Sequence, residues 1–173
     1  MRIALLALAV TGSMFAAASA NAANATGNLN VTANVASSCI VSSPGSLAFG
    51  AYDPVNVNNA SPKDGQGTIN VRCTRGTTTT IALEQGQNPA GGSSCTTPLR
   101  RMNDGGAERL RYDLFSDSTR TTTWGCTTGT NTTSHQSTNS ANAASLDVWG
   151  RIPAGQDVAP GNYSDTVQIT LTF

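Results

Sequence analysis

The strictest pattern in this chain lies at its C-terminal end, where residues 162–173 alternate without a break. Tyr163, Asp165, Val167, Ile169, Leu171 and Phe173 fall on one side, and Ser164, Thr166, Gln168, Thr170 and Thr172 on the other. A period of two sends successive side chains to opposite faces of an extended strand, whereas a helix would repeat its apolar positions every three to four residues. The same alternation stands near the other end, with Leu29, Val31, Ala33 and Val35 on one face and asparagine or threonine between them. Between these two segments almost every apolar cluster obeys the rule: Ile69, Val71 and Cys73; Ile81 and Leu83; Leu110, Tyr112 and Leu114; Leu146 and Val148. Residues 38–41 and 46–50, split by Pro44-Gly45, read as one interrupted edge strand, and residues 121–125 as a short strand ending at Trp124. About seven strands separated by turn signals predict an all-β, antiparallel sandwich of immunoglobulin-like type.

The stretches between these strands are rich in proline, glycine and asparagine. Residues 53–67 read as mostly loop with one short strand around Val55 to Val57, residues 87–98 as a polar loop carrying Cys95, and residues 153–161 as a turn region. Residues 127–144, almost wholly Thr, Ser, Asn, Gly and Ala, read as a mobile surface loop because they offer no apolar anchors. Such polarity elsewhere signals disorder, but the alternating segments supply the apolar surface that a disordered chain lacks.

The first residues assign a compartment. Met1-Arg2 is a short positive start, residues 3–10 are apolar, and small residues follow through Ala20, which is the layout of a secretory signal peptide. Cleavage after Ala20 or Ala22 satisfies the small-residue requirement, and Ala22 is preferred. The apolar run is shorter than the roughly 20 residues a membrane span needs, so the expected mature chain is a single soluble domain without membrane insertion. Exported cysteines are read first as disulfides. Cys39, Cys73, Cys95 and Cys126 contain no C-x-x-C pair for zinc or redox chemistry. Three connectivities are open to four cysteines. Pairing in order, Cys39 with Cys73 and Cys95 with Cys126, is preferred and would close loops of roughly 30 to 35 residues, each contributing about 3 to 4 kcal/mol.

Charge and site chemistry exclude several functions. Charged residues make up 12% of the chain, the formal net charge is zero, and Lys63 is the only lysine, so there is no electrostatic footprint for nucleic acid. His135, the sole histidine, has no carboxylate or cysteine at metal or triad spacing. Asp113 and Asp117 can be drawn as a glycosidase pair, but acids on a half-exposed strand are commonplace. Trp124, Trp149 and Tyr112 can be drawn as an aromatic sugar platform, against the ordinary reading of aromatics as core. No cofactor or metal site emerges, and the chain does not read as an enzyme.

Several short motifs, in order, carry a family resemblance: Cys39 followed by residues 47–52 (LAFGAY), 71–76 (VRCTRG), 110–115 (LRYDLF), Trp124-Gly125, 148–156 (VWGRIPAGQ) and 161–165 (GNYSD). Together they resemble the spore coat protein U domain, which includes the archaic, Csu-like chaperone-usher pilins. The resemblance covers nearly all of the mature chain and implies an incomplete immunoglobulin-like sandwich completed by a donor strand. On this reading residues 1–22 are the signal peptide, 23–36 the donor segment and 37–173 the pilin domain. The implied partners are a periplasmic chaperone, an outer-membrane usher and neighbouring subunits; the implied location is a surface pilus serving adhesion and biofilm formation. Tip adhesins of the family look like two-domain chains, so a shaft or adaptor subunit is the expected assignment. Cys95 and Cys126 fall where members vary. The physics is consistent with the resemblance, since an open sheet edge is a template for another chain and strand addition uses it. Leu29, Val31, Ala33 and Val35 are thus the expected donor face, and Val167, Ile169, Leu171 and Phe173 the expected face toward acceptor groove and chaperone. The alternative is a secreted monomeric or coat protein with the same fold and a carbohydrate- or surface-binding role.

Overall fold

A computed structural model describes residues 22–43 and 45–173. The expected signal segment therefore lies outside the described residues except for Ala22. The chain divides into two units, Met1–Asn34 and Val35–Phe173. Within the first, residues 22–34 carry no helix or strand. No helix among the described residues is long and apolar enough to cross a membrane.

The second unit is all-β apart from one helical turn. In chain order it contains β1 (Cys39–Ser43), α1 (Val57–Ala60), β2 (Lys63–Cys73), β3 (Thr78–Leu83), β4 (Arg100–Asn103), β5 (Arg109–Phe115), β6 (Thr133–Gln136), β7 (Ala144–Ile152) and β8 (Ile169–Thr172). Five strands form one sheet in the order β1-β2-β7-β5-β4, and three form another in the order β6-β3-β8. All pairings are antiparallel. The alternation read in the sequence places the core: Ile69 and Val71 from β2, Ile81 and Leu83 from β3, Leu110, Tyr112 and Leu114 from β5, and Val148 and Ile152 from β7 are all buried. Trp124 joins them from the loop after β5, its indole N–H donating to the Ile81 carbonyl at 2.9 Å.

Several boundaries differ from the expectation. β2 starts at Lys63 instead of residue 68, because Lys63 to Gly67 continue the ladder onto the second half of β7; Gly65 and Gly67 looked like turn residues and are strand residues whose missing side chains make room for other groups. Residues 46–50 belong to no strand, and in place of the short strand expected around Val55 to Val57 stand α1 and the turn before it, which Asp53 organises by accepting from the Val55 and Asn56 amides. Arg100–Asn103 is a strand where none was expected. Residues 121–125 contribute only an isolated bridge between Phe115 and Thr123. The low-complexity stretch holds β6, which pairs with β3 through backbone groups and so needs no apolar anchor. At the C-terminal end the regular strand is Ile169–Thr172, and Ser164 makes a separate bridge to Asn103.

Candidate functional site

The three-stranded sheet leaves β8 with a partner on one side only. β3 pairs with it at Thr80–Thr172, Ile81–Leu171, Ala82–Thr170 and Leu83–Ile169, and no described strand pairs with its other edge. Beside that edge opens a cleft of about 1240 Å³. Its floor is the inner face of the large sheet: Ile69, Leu110, Tyr112, Leu114, Val148 and Ile152. One wall is the segment ahead of β8, with Val158, Tyr163, Val167 and Ile169; the facing wall is the segment after β1, with Leu47, Phe49 and Tyr52. A closed sandwich would cover this much core with its own strand.

Each wall is held by identifiable contacts. Leu47 and Phe49 sit over glycines of β2 and β7 that face each other in the ladder, Gly65 opposite Gly150. A Cβ at Gly150 would lie 2.8 Å from Phe49 Cζ and 2.9 Å from Leu47 Cδ1, and one at Gly67 would lie 2.5 Å from the Ser46 carbonyl oxygen. These glycines are there for close approach, the usual meaning of glycine inside a strand. Phe49 also meets Tyr112 edge to face at 6.1 Å. The Tyr52 hydroxyl closes this wall, donating toward the Pro153 carbonyl at 3.0 Å and accepting from the Gln156 amide at 3.0 Å.

The opposite wall is fixed by Asp165. Its carboxylate accepts from the Tyr112 hydroxyl at 2.7 Å and from the Gln87 amide at 2.9 Å, while the Ser164 amide donates to Asn103 at 2.9 Å. Burial pushes the Tyr112 phenol well above its ordinary value, and the bond to Asp165 adds to the shift. Farther along, Arg100 reaches from β4 to the other sheet. Its Nε donates to the Glu84 carbonyl at 2.8 Å and its Nη2 to those of Leu83 at 2.6 Å and Trp124 at 2.8 Å. Burial lowers the proton affinity of this guanidinium.

The expected residues are distributed unevenly around this cleft. Val167 and Ile169 line it, Leu171 packs on the core opposite Ile81, and Phe173 is 55% exposed and lies beyond β8. Of the expected donor face, Leu29 and Val31 are 87% and 81% exposed, and Val35 is 79% exposed. Cys39 is bonded to Cys73 and Cys95 to Cys126, with Cα separations of 4.1 and 4.6 Å. Glu84 lies near the second bridge, but both sulfurs there are spent in the disulfide and leave no thiolate for a metal. Leu47, Phe49 and Tyr52 were not expected in a groove wall, although the alternation of Leu47 and Phe49 was visible.

The remaining polar and aromatic candidates have structural roles. Asp113 pairs with Arg111 at 3.2 Å. Asp117 organises the loop after β5, accepting from the Thr122 amide at 2.6 Å and from Thr119 and Thr121, and these bonds hold its carboxyl well below the usual range. Trp124 is inside the core, Tyr112 is bonded to Asp165, and Trp149, on the outer face, carries the Arg120 guanidinium 5.3 Å from its ring. The three aromatics therefore share no platform. His135 sits on β6 opposite Thr79.

Comparison with known proteins places this geometry. Residues 25–170 match the family described as Spore Coat Protein U domain. The chain belongs to the Spore Coat Protein U domain family. Protein U of Myxococcus xanthus is 42% identical over 179 aligned residues, covering all of this chain and 98% of that protein. Membership makes this a structural protein and not an enzyme. Among solved structures, a chain of the CsuC–CsuE chaperone–tip adhesion subunit pre-assembly complex, from archaic chaperone-usher Csu pili of Acinetobacter baumannii, shares the fold. The match has a TM-score of 0.50 and 20% identity, and covers 80% of this chain. This chain spans 40% of that one.

Proposed function

We propose that this Spore Coat Protein U domain is a subunit of a surface pilus, and that it polymerises by donating Leu29, Val31, Ala33 and Val35 to the cleft of the next subunit. The observation that carries the reading is the apolar cleft beside the unpaired edge of β8. An edge of this kind offers main-chain donors and acceptors in register, and the cleft offers burial to every second side chain of an added strand. The donor segment has the matching period and exposes its large apolar residues. Burying Leu29, Val31 and Val35 contributes roughly 1.5–3 kcal/mol each before ordering entropy is charged. Such a head-to-tail contact does not close on itself, so repetition yields a filament.

The export route follows from the same reading. Cleavage after Ala22 would release the donor segment into an oxidising compartment, a chaperone would cover the cleft until assembly, and an usher would pass the subunit to the surface, where the fibre would support adhesion and biofilm formation. A coat layer built from the same strand exchange is the second reading, favoured by the Spore Coat Protein U match. Deleting residues 24–35 is the direct test. The truncated subunit should fold with both disulfides and co-purify with its chaperone, yet form no SDS-resistant ladder on unheated gels. If it unfolds while the intact chain remains a soluble monomer, the segment completes its own sandwich and the polymer reading is wrong. Electron microscopy of cells with and without the chain separates fibres from coat.

A further inference from the structure

In a head-to-tail fibre each subunit is pulled through the residues that join its donated segment to its body. That junction here is short: the donor face ends at Val35 and β1 begins at Cys39. β1 is the edge strand of the large sheet; four register pairs join it to β2, with a shift between Val41 and Ser43. Among the described residues the hydrogen bonds beside them are only the Ser42 hydroxyl donating to the Asn70 carbonyl at 3.1 Å and, just ahead of the strand, Thr74 donating its amide to the Ser38 carbonyl at 2.8 Å and its hydroxyl weakly to the Ala36 and Ser38 carbonyls. A short edge strand loaded at its first residue is the weakest way to attach a cable, since ladder bonds lost at that end pass the load to fewer bonds behind them.

The first of the register pairs is Cys39 with Cys73, and it is covalent. Cys73 closes β2, which pairs with β7 at nine positions and is the firmest pairing in the sheet. The Cys73 carbonyl also accepts from the buried Ser137 hydroxyl at 3.0 Å, which ties it to the chain directly after β6 in the other sheet. The exit point of the load lies on the same strands, because Ile69, Val148 and Ile152 in the cleft floor belong to β2 and β7.

We infer that the Cys39–Cys73 disulfide is a load-bearing staple: it carries tension from the donated segment past β1 into the β2–β7 pair, where the next subunit's segment is seated. The inference rests on residues 29–35 being the donated segment. It assigns different duties to two bridges of similar loop length, because Cys95–Cys126 joins two loops that lie off this path.

The test pulls single mature chains in an optical trap between a lysine-free peptide tag at the N-terminus and a handle on Lys63, the only lysine, which opens β2, so that the load crosses β1 and β2 and leaves β8 unloaded. The chain carries Cys95→Ser and Cys126→Ser, so that only the staple can be reduced, and each molecule is followed before and after a phosphine reductant. The oxidised chain should show no lengthening before the sandwich ruptures. The reduced chain should show an early lengthening of about 15 Å or more, the span of β1 at about 3.3 Å per residue, at no more than half the rupture force. Identical first events before and after reduction would overturn the staple. If the double variant fails to fold, the wild-type chain is pulled in both states and the position of the first event, from its length, decides. Failure of strand donation reads out separately, as the absence of any SDS-resistant ladder from unpulled wild-type subunits.

Discussion

Gly67 leaves no space for a methyl group. A Cβ there would meet the Ser46 carbonyl oxygen at 2.5 Å and the Leu47 Cβ at 3.0 Å, and backbone cannot swing aside as a side-chain tip can. Gly67→Ala should therefore lower stability by about 1–3 kcal/mol, the usual range for overpacking, while Gly91→Ala, facing open space, should stay within about 0.5 kcal/mol. Urea midpoints of the two variants check this; equal midpoints would mean that the wall around Leu47 is not seated on β2. Tyr112 offers a second test, because burial and Asp165 both raise its phenol. The folded state then holds the proton more tightly than the unfolded chain. The associated stability is complete below the unfolded value near pH 10 and declines as pH rises beyond it. Tyr112→Phe should cost about 1–3 kcal/mol at neutral pH through the lost bond to a carboxylate and should flatten the alkaline limb. Denaturant midpoints taken between pH 8 and 11 would show parallel wild-type and variant curves if the Tyr112 phenol were neither buried nor bonded to Asp165.

Strands were legible where apolar residues alternate over a buried floor, as with Ile69 and Val71 in β2, Leu110 to Leu114 in β5, and Val148 in β7. β4 was not, because Arg100-Arg101-Met102-Asn103 reads as surface until Arg100 is seen to be fully buried, its Nε and Nη2 donating to three carbonyls. β6 was missed for another reason: Thr133 to Gln136 pairs through its backbone, which leaves no mark in a polar sequence. Val167 and Ile169 line one wall of the cleft, and the other wall left no local mark, since nothing in the sequence around Leu47 and Phe49 says that they will settle on Gly65 and Gly150. That seat depends on two strands far apart in the chain. The disulfides act at this same scale, each closing a loop between elements. Replacing Cys39 or Cys73 by serine should cost about 2–5 kcal/mol and lower the yield of folded protein, as read from the urea midpoint and from immunoblots of the soluble fraction. Unchanged stability and yield would reduce the bridge to a bystander.

At the scale of the whole molecule, the proposed strand exchange makes giving and accepting a strand separate properties of one chain, and this would make chain length a readable quantity. A subunit with Val31→Asp would have to bury an unpaired charge in its neighbour's groove, which is costly enough to prevent insertion, yet its own cleft is untouched. A subunit with Val167→Asp carries the charge in the cleft wall and keeps an intact donor segment. Each variant alone should run as a monomer on unheated SDS gels, because in each every contact lacks one competent half. Mixed, they have a single allowed contact, the donor segment of the Val167→Asp subunit in the cleft of the Val31→Asp subunit. The product cannot grow, since one partner has nothing left to give and the other nothing left to accept. The expected result is an SDS-resistant dimer and no higher band, with both variants shown beforehand to carry two disulfides and a native circular dichroism spectrum. Ladders from either variant alone would place donation or acceptance elsewhere in the chain, and a mixture that stays monomeric would remove Val31 and Val167 from a common contact.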